Sequence, residues 1–226
     1  MKKAFTLLEL LISIFIISIL AAILFPVFNR IKIQSNNSVS ISNIKQLGYA
    51  WKMYCEDYDD YMMRYVTNNY THWFGDSKTS LLNNYIDLKK IKDPYANTVE
   101  APSYWIGYGY NGLYFAPMDN YFNHIPVNYN NISNPSNTVV FSPVAGLFIV
   151  NDKEGLYPMS LIYPPQYGFP TFHARYNGKS PVLWADLHVS NKIPKYFYLN
   201  NKYKKYNLGF LDSDNNISTD ELFDLE

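Results

Sequence analysis

Near its end the chain places oxygen-bearing groups on alternating positions: Asp212, Asp214 and Asn216, then the Ser218 carbonyl, with Asp220 or Glu221 available to close the set. A tight loop with this alternation is how a protein surrounds a hard cation such as Ca2+. The run lacks the glycine that makes the sharp turn of a full twelve-residue calcium loop. The plainer alternative is a solvated acidic tail that precedes a short final helix from Thr219. A second acidic cluster, Glu56, Asp57, Asp59 and Asp60, could also hold a cation. At the end of a helix those carboxylates oppose the macrodipole and need compensation.

A different kind of chemistry attaches to Glu9. From Phe5 to Phe25 the only polar interruptions are Thr6, Glu9, Ser13 and Ser18. As a helix this run spans about 31 Å, enough to cross the hydrocarbon core. A carboxylate in that solvent costs roughly 2.5 kcal/mol or more, so it needs a partner, a job, or a position from which it can snorkel to the interface.

Catalytic chemistry finds little support. His72, His124, His173 and His188 are scattered, with no helical pair and no neighbouring acid-rich zinc signature. Cys55 is the single cysteine, which excludes an intrachain disulfide and a cysteine-based zinc cluster. Gly107-Tyr108-Gly109 lacks the third glycine and following helix of a phosphate cradle, and reads as a turn or strand edge. No nucleophile, base and orienting group occur together in a recognisable pattern, so an enzyme is not expected.

The elements that must position these groups follow from pattern. Lys+Arg and Asp+Glu are both 19 in 226 residues, which argues against a general nucleic-acid binder. Lys2 and Lys3 ahead of the apolar run put the N-terminus in the cytoplasm and the rest outside. A cleaved secretory signal ending near Leu20-Ala21-Ala22 fits less well, because the run is too long and continues as helix. Beyond Pro26, a possible kink, Ile44, Leu47, Trp51, Tyr54 and Tyr58 form one helical stripe. That helix should end between Asp57 and Tyr61, and the polar stretch Gln34 to Ser38 reads as a loosened segment within it. Short β-prone runs follow at Trp73-Phe74, 104–108, 138–141, 146–150 and 181–184, with a short helix expected over 81–91. Prolines concentrate between Pro94 and Pro181, as in long irregular connections. The 22 tyrosines and 14 phenylalanines could support surface adhesion or carbohydrate contact, or fill the core and subunit contacts.

Lys3-Ala4-Phe5-Thr6-Leu7-Leu8-Glu9, followed by Leu10 to Phe25 and Pro26, resembles the leader and first helix of type IV pilins and type II secretion pseudopilins. The resemblance implies that prepilin peptidase cuts between Ala4 and Phe5 and that Phe5 is then N-methylated. The family nearly always has Gly where Ala4 stands. It also implies a role for Glu9, pairing with the free α-amine of a neighbouring subunit's Phe5 inside a bundle of such helices. One buried cation and one buried carboxylate offset each other's desolvation.

A second resemblance, to a pseudopilin-like group with a C-terminal His-x9-Asp-Gly signature, rests on Ser42 to Gly48, Glu56 to Asp59, Gly107 to Gly112 and Asn134 to Val139. The signature itself is degraded: Tyr176 stands for the His and Leu187 for the Gly, while Asp186 and His188 remain. The acidic run at 212–221 resembles shortened EF-hand-like loops of some exported pilus-associated proteins.

Together these readings give an α+β protein. A leader (1–4) precedes a transmembrane helix (5–28), its amphipathic continuation (29–60) and an extracytoplasmic antiparallel β head (61–226) with long irregular loops. The expected function is that of a structural subunit of a type IV pilus or pseudopilus, anchored by a single pass in the bacterial cytoplasmic membrane. Its expected partners are prepilin peptidase and other subunits, with Ca2+ the one cofactor in view. The alternative is a membrane-anchored surface-binding protein that does not polymerise.

Overall fold

One uninterrupted helix, α1 (Leu7–Asp57), begins at a capped threonine and ends at Tyr58. It belongs to a computed structural model that describes residues 6–67, 71–75, 80–96, 105–119, 123–150, 152–196, 199, 201–216 and 218–225. The helix runs through Pro26 without a break. Its two halves meet different surroundings. From Leu7 to Ile31 the large apolar side chains are exposed, none of those named below 46%. From Asn37 to Cys55 one face is buried against the head. Among the described residues this is the helix long and apolar enough to cross a membrane.

The buried stripe of α1 is Ile44, Leu47, Trp51 and Tyr54. Tyr58, expected on it, is the C-cap and stays exposed, stacking on Tyr54 at 4.3 Å. The stretch around Gln34 to Ser38 is regular helix, because the polar residues beyond it turn into the head. Asn37, Ser40 and Asn43 are all buried, and Asn43 Nδ2 donates to the Lys92 carbonyl at 2.9 Å.

The helix lies on a four-stranded antiparallel sheet ordered β1-β2-β6-β7. Its strands are β1 (Tyr108–Tyr110), β2 (Val139–Pro143), β6 (Ser180–Trp184) and β7 (Val189–Lys192). Tyr108 pairs with Pro143, Phe141 with Leu183, and Leu183 with Val189. Gly48 permits the approach, since a Cβ there would meet Leu183 Cδ2 at 2.6 Å. Between helix and sheet Trp51 stacks on Phe115 of the one-turn helix α2 (Gly112–Phe115), and Trp73 packs on Phe141. Burying side chains of this size contributes about 1.5–3 kcal/mol each.

Two small pairs complete the head. A hairpin joins β3 (Gly146–Val150) to β4 (Lys153–Tyr157). The strands β5 (Phe172–His173) and β8 (Leu208–Gly209) pair across a long connection that contains α3 (Asn201–Lys205). A second core of Val139, Ile162, Phe172, Trp184, Leu211, Leu222 and Phe223 lies where the C-terminal segment returns to the sheet.

Three expected elements differ. The run expected over 104–108 is strand only from Tyr108, continuing to Tyr110, and Tyr104 lies outside the described residues. Residues 81–91 form turns and one 3-10 turn (Leu88–Lys90) instead of a helix. Asp87 caps that turn by accepting from Lys89 N, and Asn83-Asn84 favour turns over helix. Trp73-Phe74 is no strand; it follows an isolated bridge between Val66 and His72. The architecture is α+β and pilin-like, a long apolar helix followed by a mostly antiparallel sheet.

Candidate functional site

The apolar half of α1 begins with a capping box. Glu9 N donates to Thr6 Oγ1 (3.2 Å), while Thr6 N and Thr6 Oγ1 donate to Glu9 Oε2 at 2.9 and 2.7 Å. The reciprocal pair satisfies donors at the helix start that have no partner within the helix. Ser13 and Ser18 return their hydroxyls to the carbonyls of Glu9 and Ile14. Glu9 is therefore the single ionisable side chain from Leu7 to Phe28. Ala4 and Phe5, the expected cleavage and methylation residues, lie outside the described residues.

Tyr176, which replaces the signature histidine, is buried in a clamp between α1 and the head. Its hydroxyl donates to Asp93 Oδ2 at 2.9 Å. The same oxygen accepts from Ser40 Oγ of α1 at 2.7 Å, which leaves Tyr108 OH to donate to Ser40 Oγ at 3.0 Å. Asp93 Oδ1 takes Tyr95 N (2.9 Å) and the Arg175 guanidinium (3.1 Å). Arg175 also donates to the carbonyls of Gly107 and Val144 and to His173 Nδ1. Gly107, at φ +86°, is required here, since a Cβ would lie 2.9 Å from Arg175 Nη1. Burial, then the Asp93 charge, pushes the Tyr176 and Tyr108 hydroxyls well above their usual range. Burial, then the neighbouring Arg175, holds His173 well below its usual value and keeps it neutral.

Asp186 and His188 sit in the turn between β6 and β7, away from Tyr176's interior position. His188 Nδ1 lies 2.6 Å from Asp186 Oδ1, and the imidazole stacks on Trp184. Leu187 between them has φ +69°, a left-handed conformation that glycine adopts most easily.

The C-terminal acidic run divides into two groups. Asp212, Asp214 and Glu221 offer carboxylate oxygens that all lie within 4.8 Å of one another. Asp220 is not with them: it accepts from Tyr114 OH and from Gln166 N, tying the segment to the turn at Pro165–Tyr167. Asn216 Oδ1 accepts from Ser218 N at 3.1 Å, and Asn216 N donates to Asp214 Oδ1. Burial, with the nearby Glu221 charge, pushes the Asp212 carboxyl up to about 6. Burial also opposes the Glu221 charge, but the Ser213 hydroxyl and backbone hydrogen bonds outweigh it and hold that carboxyl at about 2.

Several of the remaining candidates find structural partners. In the second acidic cluster, Asp57 accepts from Tyr85 OH at 2.8 Å, and Asp60 pairs with Lys52 at 3.6 Å. These contacts supply the compensation that the helix terminus requires. Cys55 is fully buried, and burial pushes its thiol up to about 12, far from a reactive thiolate.

The fold and its apolar helix define a class, an α+β protein of pilin-like architecture whose first helix is long and apolar enough to cross a membrane. Residues 1–25 match the family model of the prokaryotic N-terminal methylation motif, the signature segment of type IV pilins and pseudopilins. No curated protein and no solved structure matches the chain. The chain thus carries the motif of a prepilin-peptidase substrate.

Proposed function

We propose that this protein is a structural subunit of a type IV pilus or type II secretion-like pseudopilus. The observation that carries the reading is the division of α1. Exposed apolar side chains run from Leu7 to Ile31, and the same helix is packed on the head beyond Asn37. An unburied apolar surface of that length needs lipid before assembly and other helices after it. Lys2 and Lys3 favour a cytoplasmic N-terminus and an extracytoplasmic head.

In this reading prepilin peptidase cuts between Ala4 and Phe5 and Phe5 is methylated. Glu9 then meets the new α-amine of a neighbouring subunit, which fixes the stagger of one helix against the next. The capping box supports this role, because it holds the carboxylate at the helix start, four residues along the sequence from Phe5.

The test is an intact-mass measurement on protein from native membranes, with recovery of the chain in sheared surface filaments. A chain that begins at N-methylated Phe5 and is found in filaments is expected. Retained Met1 together with absence from filaments would refute assembly and favour a membrane-anchored surface-binding protein.

A further inference from the structure

We propose that a cleft at the far end of α1 binds a carbohydrate that carries a carboxylate, of the uronic-acid class. The cleft has a volume of about 520 Å3 and is lined by Tyr54, Tyr58, Tyr61 and Arg64, with Met62 and Ile125 among its apolar contacts. Its size falls within the range of small-molecule sites, which typically join an apolar lining to a few polar groups. Tyr54 lies about 39 Å along the helix from Phe28, at the end remote from the apolar half.

The polar groups select the ligand. Elsewhere in the head the hydroxyls of Tyr85, Tyr110, Tyr129 and Tyr176 are all spent on partners within the chain. Among the described residues, the hydroxyls of Tyr54, Tyr58 and Tyr61 have no hydrogen-bond partner. Arg64 is half-buried, yet among the same residues its guanidinium makes no hydrogen bond and no ion pair. Burial, then the adjacent Tyr58, pushes the Tyr54 hydroxyl up to about 12 against the opposing Arg64 charge, so it remains a donor at neutral pH. The rings are also available. Tyr54 covers one face of Tyr58 at 4.3 Å, but Tyr58 is still 53% exposed and Tyr61 49%.

An apolar ligand would fill the cleft and leave the guanidinium and three hydroxyls unmatched. A neutral sugar would use the rings and hydroxyls but not Arg64. A phosphate would pair with Arg64 and gain nothing from the rings. A sugar acid uses every group: its C–H face lies on tyrosine, its hydroxyls meet the phenols, and its carboxylate takes the guanidinium fork. A dense polyanion is disfavoured by Glu56, Asp57, Asp59 and Asp60 at the same helix end. One charge per sugar is tolerated, because Asp57 and Asp60 are engaged by Tyr85 and Lys52, and no described carboxylate lines the cleft.

The experiment is calorimetric titration of the full chain in detergent with trisaccharides of galacturonate, glucuronate and mannuronate, beside neutral maltotriose and benzoate. One or more of the uronates should bind about tenfold more tightly than maltotriose or benzoate, as a charge-assisted hydrogen bond dictates. Arg64→Gln should remove that advantage and leave uronate level with maltotriose. Tyr58→Ala, at an exposed position, should weaken uronate and maltotriose alike, and melting curves check that both variants are folded. The proposal is overturned if no uronate binds at about 10 mM, a free energy of only a few kcal/mol. It is equally overturned if benzoate binds more tightly than the uronates, or if Arg64→Gln binds uronate as the wild type does. Neither processing nor filament entry enters this measurement, so its failure leaves the subunit reading untouched.

Discussion

Asp93 and Arg175 form an ion pair at 3.1 Å with side chains 0% and 1% exposed, and beyond their local bonds to Tyr95 N and His173 Nδ1 they tie several segments of the molecule together. Asp93 reaches α1 through Ser40, and Arg175 reaches the start of β1 and the end of β2 through the carbonyls of Gly107 and Val144. Two charges this deep are tolerated because their donors and acceptors are used up locally. The pair therefore sets where the helix sits on the head more than it adds net stability.

Removing one member should be far worse than removing the pair. Asp93→Leu or Arg175→Met alone should cost about 3–5 kcal/mol, since each leaves an uncompensated buried charge. Combined replacement by Asp93→Leu and Arg175→Met should recover much of that loss. Urea denaturation of the four proteins measures the coupling. If the single losses simply add in the double variant, the clamp is not a unit.

This clamp was not legible in the sequence, and the reason is distance along the chain. Ser40, Asp93 and Tyr176 belong to different segments, and nothing local marks any of them as a partner. What local pattern can reveal, it did. The spacing of Ile44, Leu47, Trp51 and Tyr54 gives the buried stripe, and the runs at 138–141, 146–150 and 181–184 coincide with strands. Pattern failed where polarity was taken for exposure. Gln34 to Ser38 reads as a loosened segment, yet it is regular helix with Asn37 buried, and just beyond it the buried Ser40 and Asn43 bond to the head. In the acidic run, alternation does not show that Asp220 stands apart from Asp212, Asp214 and Glu221. Tyr114 and Gln166, remote in sequence, hold it there.

His173 adds a pH dependence whose sign is fixed by its environment. Burial, then Arg175, lowers its folded pKa well below the usual histidine value, against a smaller opposing effect of a backbone hydrogen bond with Tyr206. The unfolded chain takes up a proton near pH 6.5, which the folded chain refuses. The unfolded state thus binds more protons below that pH, and stability falls as pH drops through about 6.5, with a limiting slope of about 1.4 kcal/mol per pH unit. His173→Gln keeps an acceptor for Arg175 Nε and should flatten this component. The difference between wild-type and variant stability, measured from pH 7 to 5, isolates it; identical slopes would refute the assignment.

Leu187 should invert an ordinary ranking. In most strands and turns, replacement by Gly destabilises more than replacement by Ala, because Gly loses more backbone entropy on folding. At φ +69° a Cβ is itself strained, by roughly 1–2 kcal/mol. Both substitutions lose the packing of Leu187 against the first core, but only Gly relieves the backbone. Leu187→Gly should therefore be about 1 kcal/mol more stable than Leu187→Ala. Thermal melts of the two variants decide it, and the opposite order would show that the turn adjusts freely.

Glu9 has two candidate duties, capping its own helix and pairing with a neighbour's amine, and they can be separated chemically. Glutamine serves at the third position of a capping box as glutamate does, so Glu9→Gln keeps the contacts with Thr6 N and Thr6 Oγ1 but loses the charge. Thr6→Val does the reverse, removing the hydroxyl at 2.7 Å while leaving the carboxylate intact. If the ion pair sets subunit register, Glu9→Gln should insert into the membrane and be processed normally yet fail to enter filaments, while Thr6→Val should assemble. The ratio of filament to membrane protein for each variant is the measurement. Normal assembly of Glu9→Gln, with loss in Thr6→Val, would reduce Glu9 to a helix cap and remove the amine from the account.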